Sequence, residues 1–109
     1  MRRVVITGLG AVTPIGNDIK TMWQSVKSGK CGIAEITHFD TTDKKISMAG
    51  EVKDFNPEDF LDKKEVRRMD RVTQFALVAA KEAMADSGIE LENVDRNRFG
   101  VVFSSGIGG

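Results

Sequence analysis

The sequence predicts an α/β layer in which strand, helix, long connection, helix and strand follow one another with a right-handed crossover. Three observations lead there. A β-branched run, Val4-Val5-Ile6, breaks at once into Thr7-Gly8-Leu9-Gly10, as a buried strand entering a tight turn does. A second apolar run, Phe99-Gly100-Val101-Val102-Phe103, suits a strand covered on both faces. Between them, seven of the nine residues from Val72 to Ala80 are apolar and occupy every side of a helix. A helix apolar all round belongs inside a large protein. Two strands and two helices cannot cover it, so the unit reads as a piece of something bigger.

After the first turn, Asn17 is the predicted N-cap of a helix with Ile19, Met22, Trp23 and Val26 on one buried face. Gly29 then stands where a left-handed C-cap belongs. Residues 30–50 carry only a weak pattern and predict irregular connection, with a short extended piece near Met48 to Val52. Asn56-Pro57-Glu58-Asp59 places a cap, an N1 proline and two acids in the order that starts a short helix. Asp62-Lys63-Lys64-Glu65 has capping-box form and predicts the longest helix, from there to Ser87, with Gly88 as its stop.

Composition excludes several classes. The chain has 109 residues, 40% hydrophobic and 29% charged, which is ordinary for a soluble domain. Sixteen basic residues balance sixteen acidic ones, so net charge gives no reason to expect nucleic acid or an anionic membrane as partner. The apolar run after Arg3 is too short for a signal peptide, and nothing approaches the length of a membrane span. One cysteine leaves no disulfide framework and fits a reducing compartment, so a cytoplasmic location is expected.

Gly8-Leu9-Gly10 after a strand invites comparison with dinucleotide-binding loops. Those need a third glycine opening a helix beneath a pyrophosphate, and here Thr13-Pro14 occupies that place. A nucleotide-binding domain is therefore the weaker alternative. Cys31 follows the predicted C-terminal end of the first helix, where the dipole disfavours a thiolate, so it reads as structural rather than nucleophilic. His38 is the only histidine, with no second His or Cys to form a metal site, and reads as a loop residue. At about 100° per residue, Lys64, Arg67, Arg68 and Arg71 share one arc of the predicted long helix. A solvated face accounts for such an arc, yet cations at a helix start oppose the dipole and call for another reason.

Val4-Val5-Ile6-Thr7-Gly8-Leu9-Gly10-Ala11-Val12-Thr13-Pro14-Ile15-Gly16 resembles the opening of the β-ketoacyl-acyl carrier protein synthases, thiolase-fold condensing enzymes of fatty acid synthesis. Arg67-Arg68-Met69-Asp70-Arg71, Asp86-Ser87-Gly88 and Ser104-Ser105-Gly106-Ile107-Gly108-Gly109 fall where that family has them. The resemblance runs over the whole chain, is nearest to the second-type, elongating synthases, and covers the family's opening part. It implies that residues 1–109 are the N-terminal portion of a thiolase-like, layered αβαβα domain, incomplete here. It implies decarboxylative condensation of acyl and malonyl groups held on acyl carrier protein, without cofactor or metal, by a homodimer. The family's nucleophilic Cys, catalytic His residues and catalytic Lys would lie beyond Gly109, leaving no catalytic residue in this chain. Lys64, Arg67 and Arg68 match positions that dock the acidic carrier. Gly106, Ile107 and Gly108 match the segment facing the acyl pocket, with Ile107 as a gate to it. A non-catalytic carrier-binding module and related condensing enzymes, including first-type synthases and polyketide ketosynthases, stay open as alternatives.

Overall fold

The computed structural model describes residues 1–108; Gly109, the end of the closing glycine-rich segment, lies outside them. The chain divides into two compact units, Ala11–Phe55 and the pair of segments Met1–Gly10 and Asn56–Gly109.

The unit Ala11–Phe55 opens on a tight turn: Thr13 and Gly16 exchange backbone hydrogen bonds at 2.8 and 3.2 Å, and the Thr13 hydroxyl adds a third to the Gly16 carbonyl. Helix α1 follows over Ile19–Lys27. Its N-cap is Asp18, one residue after the predicted Asn17. The Asp18 carboxylate accepts from the Thr21 N–H and hydroxyl, both at 2.7 Å, while the Asn17 amide donates to the Lys53 carbonyl at 2.8 Å. Those bonds, the Thr21 N–H first, hold the Asp18 carboxyl below its usual value. The C-terminus closes as predicted, with Gly29 at φ 69°. Gly29 donates to Val26 O and Lys30 to Ser25 O, the paired bonds of a Schellman motif.

The predicted buried face of α1 is only partly covered: Ile19 and Met22 are half-buried, Trp23 and Val26 exposed. Trp23 is 56% exposed and Val26 48%. The buried residue of this helix is Ser25, whose hydroxyl donates to the Ile15 carbonyl at 2.7 Å. Strands β1 (Ile33–Glu35) and β2 (Met48–Gly50) form an antiparallel pair with Ala34 opposite Ala49. The extended piece at Met48 was expected; its partner β1, three residues without alternation, was not.

In the other unit the residues predicted as strands, Val4–Ile6 and Phe99–Phe103, join no ladder among the described residues. A strand exists by pairing, and their side chains stand bare: Val4, Ile6 and Val102 are 91%, 81% and 95% exposed. Asn56 caps a 3₁₀ turn over Pro57–Asp59, as its sequence order suggests. The predicted long helix is two helices. Asp62 caps α2 (Lys63–Val66), and Asp70 caps α3 (Arg71–Ser87), which ends at Gly88 with φ 63°. Asp70 breaks the run because its carboxylate takes the Thr73 N–H at 2.9 Å and the Thr73 hydroxyl at 2.6 Å. That geometry requires extended backbone at Asp70 (ψ 168°), which a continuous helix forbids.

The segment Thr7–Gly10 lies across α3. Leu9 N–H donates to Asp86 Oδ2 at 2.9 Å. A Cβ on Gly8 would collide with the Ala83 carbonyl oxygen, and one on Gly10 with that of Ala79. The two glycines thus serve backbone-to-helix packing, not a phosphate. Leu61 and Val78 are buried here, and most of the remaining apolar surface of α3 is half-buried.

Candidate functional site

Two features of the unit containing α3 involve residues singled out in the sequence. The first is the basic segment through α2 and the turn after it. Lys64 lies on α2, Arg67 is its C-cap and Arg68 sits in the following turn; all three are exposed. They do not form the single helical arc that an unbroken helix would give. Arg67 does not oppose a dipole, since it stands at the C-terminal end of α2, where cations are favoured. Arg71 is different again. It opens α3 with its guanidinium 4.9 Å from the centre of the Phe75 ring, a cation–π contact.

Among the described residues, neither Lys64, Arg67 nor Arg68 joins an ion pair, whereas Lys63 reaches Glu58 at 3.4 Å. Three unpaired cations on a short exposed segment attract an acidic surface and contribute little to folding.

The second feature is an apolar concavity of about 410 Å³ along α3. Val72, Thr73, Ala76, Leu77 and Ala80 supply one wall, falling at helical spacing on one stripe. Val101, Phe103, Ser104, Ser105 and Gly108 supply the other. Of the closing glycine-rich residues, Gly108 lines the concavity; Gly106 and Ile107 do not, and Ile107 is fully exposed at 103%. The α3 wall was not predicted as such. Its signal was present in the small apolar residues of the stripe, which had been read only as core.

The remaining candidates belong to the unit Ala11–Phe55. Cys31 is exposed, with its Sγ 3.8 Å from the Ile33 carbonyl. His38 lies in the loop after β1, its Nε2 3.9 Å from Glu51 Oε1. Glu51 ties that loop to the chain after β2: Thr37 N–H, Thr37 hydroxyl and His38 N–H all donate to its carboxylate. Desolvation pushes the Glu51 carboxyl up, but those hydrogen bonds, led by Thr37, outweigh it and hold the group below its usual value. Among the described residues no three His, Cys, Asp or Glu side chains converge as metal ligands would, and no helix is long and apolar enough to cross a membrane.

The beta-ketoacyl synthase N-terminal domain family matches residues 1–109. The chain is 53% identical over 108 residues to 3-oxoacyl-[acyl-carrier-protein] synthase 2 of Staphylococcus aureus (strain N315). It is 45% identical over 108 residues to the synthase 2 of Synechocystis sp.. Each alignment covers 99% of this chain and 26% of the relative, so the chain spans about a quarter of the length of these proteins. Among solved structures, the ishigamide ketosynthase/chain length factor superposes with a TM-score of 0.75 at 33% identity, over 85% of this chain and 23% of that one. A type II PKS acyl-carrier protein in complex with its ketosynthase bound to the hexaketide gives 0.64 at 27% identity, over 87% and 25%. The fold is therefore that of the ketosynthases, thiolase-like α/β proteins. With the match running through the basic segment and the glycine-rich end alike, the chain belongs to the β-ketoacyl synthase N-terminal domain family.

Proposed function

We propose that this chain is the N-terminal portion of an enzyme that elongates acyl chains on acyl carrier protein by decarboxylative condensation with malonyl-acyl carrier protein. The observation that carries the proposal is the 53% identity to a 3-oxoacyl-[acyl-carrier-protein] synthase 2 across nearly every residue of this chain. In this reaction a malonyl thioester loses carbon dioxide, the resulting carbanion attacks an acyl thioester, and the thiolate leaves. Residues 1–109 supply scaffold, a carrier-docking segment and part of the acyl pocket, while the cysteine nucleophile and its partners belong to the rest of the protein. Lys64, Arg67 and Arg68 meet the acidic carrier. Their exposure, and their freedom from ion pairs among the described residues, support that role. Gly106, Ile107 and Gly108 face the acyl chain in the whole protein; the apolar concavity supports this for Gly108, which helps to line it. The whole enzyme works in the cytoplasm as a homodimer.

Incubating the whole protein with acyl- and malonyl-carrier, and reading products by mass spectrometry, tests this proposal. The expected product is a 3-oxoacyl-carrier two carbons longer, with release of carbon dioxide, and none from residues 1–109 alone. Absence of that product from the whole, folded protein would reject the assignment.

A further inference from the structure

The cations of the basic segment sit on a weak support. Helix α2 has four residues, too few to hold itself by its own hydrogen bonds. The exposed Lys63–Glu58 pair adds little. Lys81 Nζ donates to the Phe60 carbonyl at 3.0 Å, which anchors the chain before α2 but not the turn after it.

Besides the Asp70 cap, a buried side chain of α3 reaches into that turn. Gln74 is 8% exposed, and its Nε2 donates to the Val66 carbonyl at 3.2 Å and the Met69 carbonyl at 3.3 Å. Those two carbonyls bracket Arg67 and Arg68. An amide NH₂ has two donors, and here both face main-chain acceptors on either side of the arginine pair. Neither a carboxylate nor an apolar side chain of that size could serve, having no such donors.

We propose that Gln74 is a positioning residue for carrier binding: its amide clamps the α2–α3 turn and holds Arg67 and Arg68 in the arrangement an acidic carrier protein meets. The inference rests on the carrier-docking reading above. Gln74 touches neither carrier nor acyl chain; it acts through the backbone of the turn.

The test compares Gln74→Met with wild type in the whole protein. Methionine keeps the volume and removes both donors. KM for acyl-carrier should rise about three- to tenfold, with kcat, and kcat/KM for a small acyl thioester lacking the carrier, holding within about twofold. In hydrogen exchange, the Arg68 and Met69 amides, bonded to Glu65 O and Val66 O, should lose protection while those in the middle of α3 keep it. An unchanged carrier KM overturns the proposal. So does a parallel loss of small-thioester activity or of protection along α3, since Gln74 would then be supporting the fold at large. Charge reversal at Lys64, Arg67 and Arg68 separates the two claims. If it leaves carrier KM unchanged, the docking reading fails and the clamp with it; if it raises KM while Gln74→Met does not, only the clamp fails.

Discussion

Replacing Lys64, Arg67 and Arg68 together by Glu in the whole protein should weaken recognition of carrier-bound substrate and spare the chemistry. All three are exposed and lie outside any ion pair among the described residues, so their charges are available to a partner. Exposed pairs contribute about 0.2–1 kcal/mol each, so losing three removes about 0.6–3 kcal/mol. At 1.4 kcal/mol per tenfold, that is roughly a three- to hundredfold rise in KM for acyl-carrier, and reversal pushes toward the upper end by adding repulsion. The gap from wild type should shrink as salt brings the screening length from about 10 Å at 0.1 M to about 3 Å at 1 M. Steady-state kinetics with acyl-carrier and with a small acyl thioester, each at two salt concentrations, make the assay. Stability should fall slightly, because an acid at position 67 faces the C-terminal end of α2. Equal losses on both substrates, or a KM change indifferent to salt, would refute the reasoning.

Three further outcomes are expected. Ile107→Phe should slow turnover more as the acyl chain lengthens, with an overpacking cost of about 1–3 kcal/mol on the longest chains; identical kinetics on short and long substrates would remove the gate. Asp70→Ala should lower stability by about 0.5–2 kcal/mol through loss of the α3 cap, with Asp70→Asn recovering most of it; equal melting temperatures for the two variants would show that the cap is dispensable. Glu51 is held below the ordinary value of about 4.3, so its contribution is complete above that pH and is lost as pH falls through the lower, folded-state value. Glu51→Gln should accordingly flatten the acid side of the melting-temperature profile, and parallel profiles would show that the carboxylate does not matter.

What the sequence revealed follows the range of the forces involved. Helix ends are set by side chains within a few residues, and Gly29, Asn56, Asp62 and Gly88 were read correctly from that local chemistry. Asp70 was missed because, in a helix assumed continuous, an acid pointing away from the arginines looks like ordinary surface charge. The Asp-x-x-Thr spacing to Thr73 carried the signal. Strands depend on partners far along the chain, so β1 was invisible beside β2, and the apolar runs at Val4 and Phe99 were read as strands although they join no ladder among the described residues. The apolar face of α1 was identified correctly as apolar, but its burial stops at the half-buried Ile19 and Met22. In the basic segment, helical spacing and the family resemblance singled out the cations, while their geometry depended on a helix break and on a buried amide eight residues from Val66.

The passage of Thr7–Gly10 over α3 has a consequence for how this protein can vary. The obstacle facing a side chain at Gly10 is the main-chain oxygen of Ala79, not the Ala79 methyl. Every residue type carries that oxygen, so no exchange at position 79 makes room, and a defect caused by Gly10→Ala should yield no suppressors there. Rescue would have to come from mutations that lift the whole segment off the helix, at the expense of the Leu9–Asp86 bond.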